Sequence, residues 1–316
     1  MTEGRYFEMK SVWIDTDTGV DDAAALLACL RLPGTKLVGA SAVAGNAELR
    51  YTFVNCRNVL ALGGRSDIPV YPGSSAPLLR PLRTAARVHG ENGLGMAVLA
   101  ESTAEKETLA AWDAIYEAAC TYPGELELIA LGPLTNVAKL ILMYPDVKKY
   151  LKRILIMGGA AQGGNVTPCA EFNILVDPDA AEIVFQSGIP IVLCPLDVTM
   201  KAYLTPEEYA SIAGGTGLRA KLFADSMVGA RRLYEAVNEG RHPIHDVCPV
   251  LYTCYPEKFR TVKCGVHVET KGVYTCGKTV TDIWSDQKFG FINAVVCLDI
   301  DRPFFVEKVR EALEDA

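Results

Sequence analysis

Between Asp15 and Asp22 the chain places four carboxylates within eight residues, where the apolar run Val12-Trp13-Ile14 gives way to the alanine-rich Ala23-Ala24-Ala25-Leu26. An apolar run that short reads as a strand, and the alanine stretch as a helix. Asp15 and Asp17 share one side of an extended chain by its period of two, and Asp21 and Asp22 fall in the first turn of the helix. In an open α/β sheet the ligand crevice lies just outside the carboxyl ends of the strands, so the cluster sits where chemistry is done. Four like charges so close repel one another, and a helix dipole offsets only roughly 0.3–1 kcal/mol per favourable site. A cation is the natural compensation, and an all-oxygen ligand set calls for a hard ion, Ca²⁺ or Mg²⁺, rather than zinc. Plain N-capping by Asp21 or Asp22 would explain one acid but not four.

Two common motifs open in a similar way. An EF-hand loop needs glycine sixth and glutamate twelfth; counted from Asp15, glycine is fifth and the twelfth residue is Leu26, so that motif fails. A Mg²⁺-dependent phosphatase of the haloacid dehalogenase type also begins with a strand and Asp-x-Asp, with Asp15 as nucleophile and Asp17 as acid. Its usual Thr or Val two residues after the second Asp is Gly19 here, and no later acidic pair with a lysine stands out. It is the alternative enzyme reading.

Strand-like runs recur at Leu37–Val43, Leu126–Leu131, Ile154–Met157 and Ile189–Cys194, with amphipathic stretches between them starting near Asp21, Ala47, Leu109, Pro133 and Pro178. This rhythm predicts βαβ units, a mostly parallel open sheet with helices on both faces, and one domain over residues 1–316. Beyond residue 195 the spacing predicts a long helix over about Gly217–Val237, another near Asp246, and strand-like segments from Thr261 to Thr281 and Ala294 to Ile300.

Polar groups cluster in three further places. Leu131-Gly132-Pro133-Leu134-Thr135-Asn136 is a strand-to-helix turn able to aim a backbone carbonyl at a metal. The run Gly158-Gly159-Ala160-Ala161-Gln162-Gly163-Gly164-Asn165 lacks the Gly-x-Gly-x-x-Gly spacing of a nucleotide loop and suits close approach of backbone to a ligand. Beyond it, Glu171 and Asn173 flank Phe172 and share a face if the segment is extended; with Asn165 they suit a polyhydroxylated ligand. His245-Asp246 opens a helix, His89-Gly90-Glu91-Asn92-Gly93 lies in a loop, and Asp177-Pro178-Asp179 reads as an N-cap. His267 alternates with apolar neighbours and reads as structural.

Hydrophobic residues make up 50% of the 316 and charged ones 22%, enough for a large core and too apolar for disorder. A net charge of -7 leaves no basic footprint for nucleic acid or an anionic membrane, and no stretch reaches the about 20 apolar residues of a membrane span. Ten cysteines without a Cys-x-x-Cys pair read as reduced, buried thiols of a cytoplasmic protein.

Together and in this order, the Asp-x-Asp-x-Gly-x-Asp-Asp opening, Val43-Ala44-Gly45-Asn46, the His89–Gly93 run, Gly132-Pro133-Leu134-Thr135-Asn136, Met157-Gly158-Gly159 through Glu171-Phe172-Asn173, and Pro243-Ile244-His245-Asp246 resemble the inosine-uridine preferring nucleoside hydrolase family over about Val12–Ile300. The resemblance implies Ca²⁺-dependent hydrolysis of the N-glycosidic bond of ribonucleosides to ribose and free base, serving purine and pyrimidine salvage. It implies Ca²⁺ bound by Asp17, Asp22 and Asp246 and by the backbone carbonyl of Leu131, with Asp15 in support. Ribose would fall to Asp21, Asn46, Asn165, Glu171 and Asn173, and the nucleobase side to His89, Phe172 and His245. Asp17 would activate the attacking water and His245 would assist the leaving base. The resemblance also implies a base contact on the helix before the His-Asp pair, for which Tyr234 is the candidate. The family's members are usually dimers or tetramers, so a homodimer or homotetramer is expected. A non-catalytic, calcium-dependent nucleoside- or sugar-binding protein is the remaining alternative.

Overall fold

The computed structural model describes residues 9–284 and 287–314, with every side chain among them except those of Tyr234, Glu235 and Val237. Eight strands form the main sheet: β1 (Lys10–Thr16), β2 (Thr35–Ala42), β3 (Val70–Pro72), β4 (Leu126–Ala130), β5 (Leu151–Met157), β6 (Ile191–Cys194), β7 (Phe259–Cys264) and β8 (Ala294–Ile300). Their spatial order is β3-β2-β1-β4-β5-β6-β8-β7, and every neighbouring pair is parallel except β8 with β7. The expected mostly parallel sheet is present.

Alternation along β1 sends its side chains to two cores, as a sheet covered on both faces requires. Val12 and Ile14 pack with α1 (Val20–Cys29) and the helices Val247–Cys254 and Arg302–Leu313. Trp13 faces the other way, toward the helices Ala111–Thr121, Thr135–Met143 and Pro178–Phe185. Because the chain runs to β2 on one side and β4 on the other, β1 is the point where strand order reverses, and a crevice opens beyond its carboxyl end.

Several sequence expectations shift. The long helix expected over Gly217–Val237 is two, Leu218–Ser226 and Val228–Val237. The break occurs where the Asp225 carbonyl accepts from the Met96 N–H at 3.2 Å, a bond to another segment at the helix end. Glu171 and Asn173 are not on an extended segment: Glu171 caps the short helix Phe172–Val176, accepting from the N–H groups of Asn173 and Ile174. The edge strand β3 was not anticipated, since three residues ending in proline carry no periodic signal. Asp177 caps its helix as expected and also accepts from the Leu78 N–H and the Thr135 hydroxyl. All ten cysteines are free, but only seven are buried: Cys120 is exposed and Cys169 and Cys276 are half-buried. No helix among the described residues is long and apolar enough to cross a membrane.

Phe185 is fully buried in the core that holds Trp13. Phe185→Ala is expected to cost about 3–5 kcal/mol of stability, measured by urea unfolding.

Candidate active site

The sequence leaves β1 at Thr16, turns at Thr18-Gly19 and enters α1 at Val20, which brings Asp15, Asp17 and Asp22 into the interior and leaves Asp21 half-buried at the crevice. Each acid is held separately. Asp15 accepts from the Ser41 hydroxyl at 2.5 Å and the Asn136 amide at 2.7 Å, and burial pushes its pKa up to about 7 against those two bonds. Asp22 accepts from the Thr16 hydroxyl at 2.5 Å, the Gly19 N–H at 2.9 Å and the Asn46 amide at 3.1 Å. The Gly19 bond is the return half of a capping box, so one acid does serve the helix end. Burial and the neighbouring Asp21 charge raise Asp22 to about 6.

Asp17 sits deepest. Its Oδ2 accepts from the Asn46 N–H at 2.7 Å, while Oδ1 is buried with no hydrogen-bond partner among the described residues. Burial first, then the Asp22 charge, drives its pKa well above the carboxylate range. Gly45 and Gly132 flank it: a Cβ on Gly45 would meet Asp17 Oδ2, and one on Gly132 would lie 2.7 Å from Oδ1. The glycines following β2 and β4 therefore make the slot that holds this carboxylate.

The fourth wall comes from far along the chain. Asp246 stands at the N-cap of the helix Val247–Cys254, but its side chain makes no cap bond. One oxygen each of Asp21, Asp22 and Asp246 lies within 4.8 Å of the others. Burial, then the charges of Asp21, Asp22 and Asp17, pushes Asp246 well up, and burial raises Asp21 to about 6. Oxygen donors alone, an orphaned buried Oδ1 and mutual repulsion together fit a divalent hard cation. The tightest three-acid grouping includes Asp21, which the sequence assigned to ribose, rather than Asp17.

Above the acids opens a cavity of about 460 Å³. It is lined by Asp21, Asn46, His89, Leu131, Asn165, Glu171, Phe172, Asn173, His245 and Asp246, so nearly the whole predicted set converges here, with Asp15, Asp17 and Asp22 beneath. Tyr234 lies outside the described side chains. The Leu131 carbonyl accepts from the Asn173 amide at 2.7 Å. Glu171 is buried and accepts from the N–H of Gly159 at 2.8 Å as well as those of its own helix; burial still raises it to about 7. His89 Nδ1 accepts from the Val20 N–H at 3.2 Å, and His245 Nδ1 lies 2.8 Å from the Thr199 hydroxyl. Burial lowers both imidazoles to about 4, with His245 adding to the effect on His89.

The sequence missed part of the cavity lining, the apolar side chains of Val166, Met200, Met227 and Leu233. Nothing in the sequence separates such residues from ordinary core. Polar hydrogen-bonding groups and apolar side chains lining one cavity suit a ligand that is part sugar and part planar ring.

The fold is that of an α/β protein whose cavity opens beyond the ends of parallel strands, where such enzymes bind their ligands. The profile of the inosine-uridine preferring nucleoside hydrolases matches residues 12–307, and the chain belongs to that family, whose members are hydrolases acting on N-glycosyl compounds. It is 41% identical over 302 residues to a protein of Salmonella schwarzengrund (strain CVM19633) named non-specific ribonucleoside hydrolase RihC, covering 94% of this chain and 95% of that one. Among solved structures it superposes on a plant nucleoside hydrolase, PpNRh1, with a TM-score of 0.90 at 29% identity, covering 97% of this chain and 99% of that one. A purine-preferring ribonucleoside hydrolase from Gardnerella vaginalis gives a TM-score of 0.89 at 29% identity, covering 96% and 98%. The phosphatase alternative falls with this match.

Gly45→Ala should displace Asp17 without unfolding the chain. The expected result is a loss of about 10²-fold in kcat/KM with an unchanged far-ultraviolet circular dichroism spectrum.

Proposed function

We propose that this chain, acting as one domain, hydrolyses the N-glycosidic bond of ribonucleosides to ribose and free base with the help of a bound Ca²⁺. The observation that carries the proposal is the set of four carboxylates, Asp17, Asp21, Asp22 and Asp246, gathered at the floor of a cavity lined by both hydrogen-bonding and apolar side chains. Asp17, Asp22, Asp246 and the Leu131 carbonyl would hold the ion, with Asp15 in support through its bonds to Ser41 and Asn136. Asp21, the acid most open to the cavity, is then left to face the ribose. A cation held there would supply the positive charge that lowers the pKa of a water molecule and favours the ribose hydroxyls.

Asp17 takes the proton of the attacking water. Water adds at C1′ as the bond to the base breaks through an oxocarbenium-like state. Asp21, Asn46, Asn165, Glu171 and Asn173 hold the hydroxyls, strengthening as charge develops on the ring. His245, kept neutral by burial, assists the departing base by hydrogen bonding, with His89 beside it. The methionine-rich wall is adaptable rather than base-reading, which supports acceptance of both purines and pyrimidines, as the name of the Salmonella relative indicates for that protein. A cytoplasmic homodimer or homotetramer completes the proposal. The free thiols support the compartment, and the exposed Val273, Tyr274, Trp284 and Ile292 support self-association.

Ribose release from inosine, uridine, cytidine and adenosine, followed by a reducing-sugar assay, tests the reading. Wild type should release ribose from them, and Asp17→Ala should lose about 10²–10⁴-fold or more; activity within about tenfold of wild type would remove the base assignment. His245→Ala should lose more on inosine than on a p-nitrophenyl riboside, whose leaving group needs no help, and equal losses would remove its role.

A further inference from the structure

The ribose end of the cavity depends on a segment that contributes nothing to its lining. Gly159 donates its N–H to Glu171 Oε2 at 2.8 Å, and it does so from a left-handed conformation, φ +71°. The backbone at this point is pinned from outside the site. Thr279, 1% exposed on the short strand Thr279–Thr281, accepts from the Ala160 N–H and donates to the Ala160 carbonyl, both at 2.8 Å. One hydroxyl thus satisfies both polar groups of the residue after Gly159, while its methyl group lies directly under Gly159, where a Cβ would come within 2.6 Å of it. Lys278 Nζ adds bonds to the carbonyls of Ala160 and Ala161 at 2.8 and 2.9 Å. Asp197 closes the other side, accepting from the Ala161 N–H at 2.7 Å.

We propose that Thr279 is a positioning residue for the reaction: through its two bonds to Ala160 it holds Gly159 in the conformation that aims the Gly159 N–H at Glu171, and so fixes the Glu171 carboxylate for its ribose hydroxyl. The proposal rests on the reading of Glu171 as a ribose ligand. Two of the three N–H groups on that carboxylate belong to its own helix, and the Gly159 bond alone ties it to the loop after β5. Valine at position 279 keeps the shape of threonine and removes both bonds, leaving the Ala160 N–H buried without its acceptor. Serine keeps the hydroxyl and loses only the methyl.

The test compares wild type, T279V, T279S and E171Q, as purified full-length protein, on uridine and its 2′-, 3′- and 5′-deoxy analogues. E171Q should flatten the discrimination for one hydroxyl, identifying the group that Glu171 holds. T279V should raise KM for uridine by about tenfold with kcat changed less than about threefold, and should weaken discrimination at that same hydroxyl; T279S should restore most of both. An equal loss on all four substrates, or a T279S variant as impaired as T279V, would overturn the role given to Thr279. If E171Q leaves every hydroxyl preference intact, the ribose reading of Glu171 fails, and the proposal for Thr279 falls with it.

Discussion

The mutual repulsion of desolvated carboxylates at the carboxyl end of β1 is the constraint around which the rest of this structure is arranged. Asp15, Asp17 and Asp22 are fully buried and Asp246 nearly so, and each is pushed upward in pKa first by burial. A fold that served only its own stability would not gather them. Their retention is made tolerable by donors from several segments: Ser41 and Asn136 on one oxygen of Asp15, Thr16 and Gly19 on the two oxygens of Asp22, and the Asn46 backbone on Asp17. Two oxygens are left over, Asp15 Oδ2 and Asp17 Oδ1, each buried with no hydrogen-bond partner among the described residues. A hard divalent cation answers the leftover charge and the Asp17 oxygen.

Holding such a cluster requires parts of the chain far apart in sequence to meet within a few ångströms. Because β1 lies at the reversal of strand order, the loops after β2, β4 and β5 all open onto the same crevice. They supply Gly45 and Asn46, Leu131 and Gly132, and the glycine run to Asn165. The helix Val247–Cys254 then brings Asp246 in from the other side, and the strand Thr279–Thr281 braces the glycine run from below. Met227, between Leu218–Ser226 and Val228–Val237, lines the cavity, so the break in that helical stretch belongs to the pocket as much as to the fold.

How much of this is legible in the sequence follows from how local each signal is. The strand, the acids and the alanine helix are consecutive, so Asp15 through Asp22 announce both the element boundary and the chemistry. Asp246 is marked by its position beside His245 at a helix mouth, and Asn46 and Glu171 by the motifs around them. Met200, Met227 and Leu233 are not legible, because an apolar residue that lines a cavity has the same periodicity as one that fills a core. The helical cap at Glu171 is obscured by the glycine-rich run before it, which suggests extended chain. Thr279 carries no signal at all: its partner Ala160 is 119 residues away and offers only backbone.

The most direct measurement is a calorimetric titration of Ca²⁺ into chelator-stripped protein, with the melting temperature and ribose release followed on the same sample. A cation binding the native carboxylates and not the unfolded chain must stabilise the fold by mass action. A single saturable site per chain, a melting temperature that rises with Ca²⁺, and ribose release lost on stripping and restored along the same binding curve are the predicted results. Ribose release that survives complete stripping, or an absence of saturable binding by Ca²⁺, would contradict the account.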